Sequence, residues 1–236
     1  MKNSDTSLNH QNIDLIIFDC DGVLVDSEIL SRRVLLGMLE THGVIVSEDY
    51  FHTHFLGFSF EHVAAKVFSD FSVKLTSEFR QNYREKLIQV FASELKPTSN
   101  IKELLVQLKV KCCVATSGSP QKVSHSLNYT KLEQFFDGRV YTASEVKRGK
   151  PAPDLFLHAA KQMGVVPEKC LVIEDSQTGI NAARAAKMAV LRYAGASHMR
   201  NRNTAIQRSD DVSTIAHWDQ LFAKIPSLNC AINIER

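Results

Sequence analysis

Acidic side chains follow an apolar run near the start of the chain. The stretch LIIFDCDGVLVDSE, residues 15–28, passes from apolar residues directly into Asp19 and Asp21, and a third acid follows at Asp26. Two carboxylates held this close together repel each other unless a cation neutralises them. The arrangement therefore predicts a metal ion, a neighbouring lysine, or both at this position.

Polar side chains also follow three later apolar runs. They are Thr116, Ser117 and Gly118 after the second run, Lys147 and Lys150 after the third, and Glu174 and Asp175 after the fourth. If the runs are strands of an open parallel sheet, their carboxyl ends meet at the edge where such sheets bind ligands. Carboxylates crowded there need a cation, and hard oxygen ligands favour Mg²⁺, which keeps room for a phosphate group. The residue set predicts a magnesium-dependent site for a phosphorylated substrate.

Five short apolar runs predict the strands of such a sheet. They lie at residues 15–19, 112–117, 139–143, 170–175 and 189–193. The runs are continuous rather than alternating, as in parallel strands that are covered on both faces. Helical patterns at 101–109, 153–163 and 178–187 separate the later runs, and Asn100 and Glu103 stand at the spacing of a capping box. The alternation predicts an α/β fold with a doubly wound parallel sheet and right-handed crossovers.

A helical block interrupts this alternation between the first and second strands. Residues 29–95 contain no strand candidate, and the segment 79–95 carries aromatic and aliphatic residues at helical spacing until Pro97 ends it. The aromatic positions of this segment are interpreted as the core of a small domain. We therefore expect an inserted α-helical cap domain at 29–95 and a core domain formed by 1–28 and 96–236.

The composition is that of an ordinary globular protein. Of 236 residues, 44% are hydrophobic and 23% charged, and the net charge is +2. No basic run exceeds a pair, so binding to nucleic acid or to a membrane surface has little support. The polar stretch 1–12 lacks the apolar core of a secretory signal, and no segment has the length of a membrane span. The cysteines form no C-x-x-C pair, which favours reduced thiols and therefore a cytosolic protein. We also expect a monomer.

Four motifs together resemble a known superfamily. FDCDGVLVDSE, VATSGS, GKPAPD and VIEDSQTG occur in this order at predicted strand ends, and they resemble the four motifs of the haloacid dehalogenase superfamily of phosphotransferases. The resemblance extends over about residues 14–225 and falls in the branch with a helical cap after the first strand. That branch contains β-phosphoglucomutase-like sugar-phosphate phosphatases and mutases. It implies a Rossmann-like core, Mg²⁺ as the cofactor and a small phosphorylated metabolite as the partner.

The resemblance also implies roles for the acid pair. Asp19 would be the nucleophile that becomes an aspartyl phosphate. Asp21 would be the general acid that protonates the leaving alcohol, and then the base that activates water. Asp19 would also be a metal ligand, together with the main-chain carbonyl of Asp21. The repelling carboxylates would thus be tolerated because a metal and a lysine neutralise them.

The remaining motifs imply a phosphate site and further metal ligands. The hydroxyl of Thr116 and the amide of Ser117 would hold the phosphoryl oxygens, and Lys150 would neutralise charge on the nucleophile and the phosphoryl group. Asp175 would bind Mg²⁺, with Glu174 as a ligand or as a hydrogen-bonding partner of the ligands. Phosphoryl transfer needs positioning and charge stabilisation from several sides, and this set supplies both.

Other residues leave alternatives open. Lys147 is a second candidate for the role of Lys150. His52 and His54 have a spacing that suits a metal on an extended strand, although surface or packing histidines are the simpler interpretation in a helical cap. Residues 195–203 are predicted to form a flexible loop, whose arginines could contact an acidic substrate.

The leading prediction is a Mg²⁺-dependent phosphatase of sugar phosphates or related acids such as 6-phosphogluconate, and the alternative is a sugar-phosphate mutase. The mutases carry a cap-loop arginine that grips a second phosphate, whereas the loop at 57–59 is followed here by Phe60. Ser31 stands where the mutases carry a histidine. A phosphonate hydrolase would need a cap lysine, for which only Lys66 is near, and a non-catalytic binding protein would be expected to have a broken motif.

Overall fold

The structure is a computed structural model that describes residues 12–55, 58, 60–199 and 212–230. The chain divides into two compact units, one formed by Met1–Asp26 with Lys96–Arg236 and the other by Ser27–Leu95. The first unit contains the sheet, and the described elements of the second are all helices. A helical region therefore separates the first strand from the second, as the sequence predicts.

The first unit is built on a six-stranded parallel sheet. Its strands are β1 (Leu15–Phe18), β2 (Lys111–Thr116), β3 (Val140–Thr142), β4 (Cys170–Glu174), β5 (Ala189–Tyr193) and β6 (Thr214–Ile215). They lie in the order β3-β2-β1-β4-β5-β6, and each neighbouring pair is parallel. The predicted doubly wound α/β fold is confirmed, and β1 to β5 coincide with the predicted apolar runs. β6 is too short to leave a hydrophobic pattern in the sequence.

Helices connect the strands and form the second unit. They are α1 (Glu28–Glu40), α2 (Glu48–His54), α3 (Phe60–Phe71), α4 (Ser77–Glu94), α5 (Ile101–Gln107), α6 (Pro120–Tyr129), α7 (Glu133–Phe136), α8 (Asp154–Met163), α9 (Gln177–Ala185) and α10 (Asp219–Lys224). The predicted capping box at Asn100 is wrong, because Asn100 has φ 65° and its side chain makes no capping hydrogen bond. A capping side chain requires an extended backbone at that position, which this left-handed conformation does not provide.

Apolar side chains cover both faces of the sheet. Leu15 and Ile17 of β1 belong to a buried cluster that includes residues of α8 and α9. Because side chains alternate along a strand, Phe18 faces the opposite side, where its ring lies 6.3 Å from that of Phe136 and 6.0 Å from that of Trp218. Each such buried side chain contributes roughly 1.5–3 kcal/mol. With both faces covered, polar side chains collect at the carboxyl ends of the strands.

The second unit is held together by packing between its helices. α1 packs against α4, and Arg33 pairs with Glu94 at 2.6 Å. Phe79, Leu87 and Phe91 on α4 are buried, which is the stripe that the helical spacing predicted.

Among the described helices of the whole chain, none combines the length and the apolar character that crossing a membrane would require.

Candidate active site

Three neighbouring strands end at the candidate site. β1 lies between β2 and β4 in the sheet. Asp19 follows the last residue of β1, Thr116 is the last residue of β2, and Glu174 is the last residue of β4. Because the strands are parallel, their carboxyl ends lie at the same edge. The sheet therefore brings together three side chains that are far apart in the sequence.

The ammonium group of Lys150 connects these strand ends. It donates to Oδ1 of Asp19 at 2.6 Å, to Oε1 of Glu174 at 2.6 Å and to the main-chain carbonyl of Ala115 at 3.0 Å. An ammonium has three N–H donors, so these acceptors use all of them. The Lys150 side chain is only 4% exposed, whereas Lys147 is exposed to solvent. Of the two candidate lysines, Lys150 is the one that contacts the acidic residues.

Burial and charge shift the pKa values around this ammonium. Burial alone would lower the pKa of Lys150, but the Asp19 and Glu174 carboxylates outweigh it and hold that pKa above its ordinary value. Burial raises the pKa of Asp19 well above its usual range; Lys150 opposes this shift, and Glu174 and Asp175 add to it. Burial also raises the pKa of Asp175, against the opposing effect of His198. One ammonium does not neutralise all these carboxyl groups, so a further cation would stabilise them.

The three acids form a compact cluster that could hold that cation. One oxygen each from Asp19, Glu174 and Asp175 lies within 4.8 Å of the others. Both oxygens of Glu174 already accept hydrogen bonds, Oε1 from Lys150 and Oε2 from the amide and hydroxyl of Ser176 at 3.0 and 2.9 Å. Asp19 and Asp175 are therefore the best placed of the three to bind a metal directly. Hard oxygen donors of this kind fit a divalent cation.

Two glycines allow the carboxylates to lie this close to the main chain. Gly22 has φ +75°, and a Cβ atom built there would overlap the carboxylate of Asp175. A Cβ atom on Gly179 would overlap the carboxylate of Glu174. Gly179 lies in the first turn of α9, where its amide donates to the hydroxyl of Ser176 at 3.1 Å. A side chain at either glycine would displace an acidic residue of the cluster.

Asp21 lies next to a cation that the sequence analysis did not single out. Nζ of Lys122 donates to Oδ2 of Asp21 at 2.8 Å, and the two side chains are 24% and 19% exposed. Lys122 lies in the first turn of α6, just beyond the VATSGS motif. The signal that could have revealed it is a basic residue at the start of a helix that follows a polar strand end.

Thr116 and Ser117 lie at the start of the loop between β2 and α6. The hydroxyl of Thr116 is buried and accepts a hydrogen bond from the amide of Gly118 at 3.0 Å. A Cβ atom built on Gly118 would lie 3.4 Å from Oγ1 of Thr116 and 3.6 Å from Oδ2 of Asp21. The hydroxyl and the carboxylate therefore border the same small space. Ser117 is exposed to solvent.

A second residue missed in the sequence is His198, which lies in the turn Ser197–Met199. Nε2 of His198 lies 3.2 Å from Oδ2 of Asp175. The amide of Ser197 donates to Oδ1 of Asp26 at 3.2 Å, and its hydroxyl also donates to Asp26. The third acid of the opening stretch thus holds the turn that carries His198. Residues 200–203 of the loop predicted at 195–203 lie outside the described residues.

Three side chains of the second unit that the sequence analysis considered as candidate site or cap-loop residues have partners within that unit. They are His54, whose ring lies 4.5 Å from that of Tyr50, Phe58, whose ring stacks on His62 at 4.2 Å, and Lys66, which pairs with Asp70 at 2.9 Å. The amine of Lys66 is thus engaged by a carboxylate of the same helix. The side chain of His52, and Gly57 and Ser59 of the predicted cap loop, lie outside the described part of the chain.

Comparisons with known proteins identify the family. Residues 16–193 match the family of haloacid dehalogenase-like hydrolases. The chain is 30% identical over 210 residues to 6-phosphogluconate phosphatase of Escherichia coli K12, which covers 89% of this chain and 93% of that protein. It is also 30% identical over 207 residues to the phosphorylated carbohydrates phosphatase of Thermotoga maritima, with 86% and 94% covered.

A solved structure shows the same architecture. A conserved haloacid dehalogenase-like protein of unknown function from Agrobacterium tumefaciens is 33% identical and superposes with a TM-score of 0.77 over 91% of this chain and 98% of that chain. Together with the family match and the two phosphatase relatives, this architecture defines an enzyme of the hydrolase class with phosphatase homologues. The chain belongs to the haloacid dehalogenase-like hydrolase family. This family implies a divalent metal, and the Asp19, Glu174 and Asp175 cluster could bind it.

Proposed function

We propose that this protein is a Mg²⁺-dependent phosphatase that hydrolyses sugar phosphates or sugar-acid phosphates through an aspartyl phosphate. The observation that carries the proposal is the buried Lys150 ammonium, which lies 2.6 Å from both Asp19 and Glu174. A cation that holds one oxygen of Asp19 orients the other oxygen for attack on phosphorus. The names of the two phosphatase relatives support the same chemistry.

Asp19 is the proposed nucleophile. One of its carboxylate oxygens forms a bond to phosphorus while the bond between phosphorus and the ester oxygen breaks. Asp21, in its acid form, gives its proton to that departing oxygen, which leaves as an alcohol. This step produces an aspartyl phosphate at Asp19 and a carboxylate at Asp21.

Asp21 then acts as the base for hydrolysis. It takes a proton from a water molecule whose oxygen bonds to phosphorus, while the bond between phosphorus and Asp19 breaks. Inorganic phosphate leaves, and Asp19 returns to the carboxylate and Asp21 to the acid. A Mg²⁺ ion held by Asp19, Asp175 and the main-chain carbonyl of Asp21 would offset the negative charge of the phosphoryl oxygens.

The other residues at this edge position the reacting groups. Lys150 stays charged, because its pKa lies above the ordinary value, and it offsets charge on Asp19. Glu174 supports this role by accepting from Lys150 and from Ser176. The hydroxyl of Thr116 and the amide of Ser117 are the proposed donors to the phosphoryl oxygens, because preformed donors stabilise the charge that develops during transfer.

A mutase has less support than a phosphatase. The ring of Phe60, which stands where the mutases carry an arginine, lies 6.2 Å from that of Tyr83, and the guanidinium of Arg80 lies 5.3 Å over it. Arg80 in turn pairs with Glu61 at 2.7 Å. A carboxylate therefore already pairs with this arginine, which makes it a weak candidate for the grip on a second phosphate that the mutases need.

The proposal is tested by measuring phosphate release from 6-phosphogluconate, fructose 1-phosphate, glucose 6-phosphate and 4-nitrophenyl phosphate. We expect release with Mg²⁺, none after treatment with EDTA, and none from Asp19→Asn, because an amide cannot form the acyl phosphate. Release without any divalent metal, or activity of Asp19→Asn near that of the wild type, would contradict the proposal. Rapid conversion of β-glucose 1-phosphate to glucose 6-phosphate with little phosphate release would favour the mutase.

A further inference from the structure

The ion pair between Lys122 and Asp21 has no part in the two chemical steps proposed above. Nζ of Lys122 lies 2.8 Å from Oδ2 of Asp21, with 24% and 19% of the two side chains exposed. An ion pair with this exposure contributes little to stability. The contact joins the loop after β1 to the helix after β2, and it fixes one oxygen of the residue that is proposed to move the proton.

The position of Lys122 in α6 is unfavourable for the helix itself. The amide of Lys122 donates to the side chain of Ser119, the N-cap residue, and the first turn contains no acidic residue. The amino-terminal end of a helix carries a partial positive charge, so a cation in the first turn is disfavoured. Helix stability therefore does not explain a lysine here, whereas the contact with Asp21 does.

We infer that Lys122 is a positioning residue that orients Asp21 for proton transfer. This inference rests on the proposed function of Asp21 as acid and base. The ammonium holds Oδ2 and so fixes the orientation of the carboxyl group, whose other oxygen, Oδ1, would give the proton to the departing oxygen and later take one from water. A protonated carboxyl group still accepts a hydrogen bond through its other oxygen, so Lys122 can keep this contact in both steps.

Gly118 supports this arrangement. A Cβ atom built on Gly118 would lie 3.6 Å from Oδ2 of Asp21 and 3.8 Å from Cδ of Lys122. The same atom would lie 3.4 Å from Oγ1 of Thr116, the proposed donor to the phosphoryl group. The ion pair and the proposed phosphoryl site thus border one space, so the carboxyl group that Lys122 holds lies beside the position proposed for the phosphoryl group.

If Lys122 orients Asp21, loss of Lys122 should lower the rate selectively for substrates with poor leaving groups. A 4-nitrophenolate leaves readily without a proton, whereas a phenolate or an alkoxide leaves far better when an acid protonates it. Loss of a general acid typically costs about 10²–10⁴-fold in rate. Loss of the residue that orients the acid should cost a part of this factor, and only for the esters that need the proton.

The test measures kcat/KM at saturating Mg²⁺ for 4-nitrophenyl, 4-chlorophenyl, phenyl and benzyl phosphate. This constant reports the steps up to departure of the leaving group. We expect wild type to show a shallow dependence on leaving-group basicity, and Asp21→Asn to show a steep one. Lys122→Met should also show a steep dependence. Its kcat/KM should fall about tenfold or more with benzyl phosphate but less than about threefold with 4-nitrophenyl phosphate. Lys122→Arg should restore the shallow dependence.

Lys161→Met is the matched control, because Lys161 is an exposed lysine in the last turn of α8. It should behave as wild type. If Lys122→Met does not fold, Lys122→Gln removes the charge, keeps a donor and carries the same comparison. An unchanged slope in the Lys122 variant, or an equal loss for all four esters, would overturn the positioning role; the second result would indicate contact with the phosphoryl group. A shallow slope in Asp21→Asn would instead reject the acid role of Asp21, and with it the positioning role.

Discussion

Nε2 of His198 lies 3.2 Å from Oδ2 of Asp175, and the two side chains are only 6% and 9% exposed. The turn that carries His198 is held in place by Asp26, which accepts hydrogen bonds from the amide and the hydroxyl of Ser197. The first motif therefore reaches the acidic cluster twice, directly through Asp19 and indirectly through Asp26. His198 thus contacts the carboxylate of Asp175, whereas Lys150 contacts those of Asp19 and Glu174.

We expect His198→Ala to weaken binding of Mg²⁺, because residues that hydrogen-bond to metal ligands typically change metal affinity by about 10–100-fold. Isothermal titration of Mg²⁺ into the protein without substrate measures this affinity independently of turnover. His158→Ala is the control, because it removes a histidine–carboxylate contact of the same length, 3.2 Å to Glu145. An unchanged Kd for Mg²⁺ in His198→Ala would show that Asp175 does not need His198.

Replacement of Lys150 should affect both stability and activity. Lys150→Met leaves Asp19 and Glu174 buried without their shared ammonium, and removing one partner of a buried ion pair typically costs about 3–5 kcal/mol. Chemical denaturation measures this loss, and phosphate release should disappear. Lys147→Met removes an exposed lysine of the same loop and should stay within about 0.5 kcal/mol of wild type. Equal stability of the two variants would contradict the buried pairing.

Part of the candidate site could be predicted because three of its residues stand at or next to the end of an apolar run. Asp19, Thr116 and Glu174 stand at or next to the end of a continuous hydrophobic stretch, and parallel topology then places them at one edge. Lys122 and His198 do not follow a strand directly. Their contacts depend on how far a side chain reaches across a loop, which neither periodicity nor spacing encodes.

Two local features, β6 and the backbone conformation at Asn100, were not predicted correctly, and each has a specific cause. β6 contains only Thr214–Ile215, which is shorter than any hydrophobic period that a sequence pattern can reveal. The spacing of Asn100 and Glu103 matched a capping box, but spacing does not report the backbone angle, and Asn100 adopts φ 65°. A two-residue strand and a single backbone angle are therefore features of this fold that the sequence does not reveal.

The charge state of Asp70 in the second unit should make the stability of the protein depend on pH. Hydrogen bonds from Lys66 and Tyr50 lower the pKa of Asp70 from 3.8 to about 2. The folded state therefore favours the carboxylate, so its stabilising effect is present above pH 3.8 and is lost as the pH falls towards about 2. We expect the Tm difference between wild type and Asp70→Asn to be largest at about pH 6 and to shrink at about pH 3. A difference that grows on acidification would contradict the pairing.

Gly22 and Gly43 form a matched pair of glycines that separates the effect of backbone strain from the effect of displacing Asp175. Both have φ +75°, so alanine at either position strains the backbone, at a cost of roughly 1–2 kcal/mol. A Cβ atom on Gly22 would overlap the carboxylate of Asp175, whereas one on Gly43 would meet nothing within 4 Å. We therefore expect Gly43→Ala to lose only the strain energy and to keep its activity and its affinity for Mg²⁺.

Gly22→Ala should lose more free energy of unfolding than Gly43→Ala, and it should also lose Mg²⁺ affinity, because Asp175 has to move away from the added methyl group. Chemical denaturation and calorimetric titration of Mg²⁺ measure the two effects on the same samples. If both variants lost the same free energy and both bound Mg²⁺ as the wild type does, the close approach of Asp175 to residue 22 would have no part in holding the metal. Loss of affinity in Gly22→Ala alone would identify that approach as a requirement of the site, and would explain why the first motif places glycine directly after Asp21.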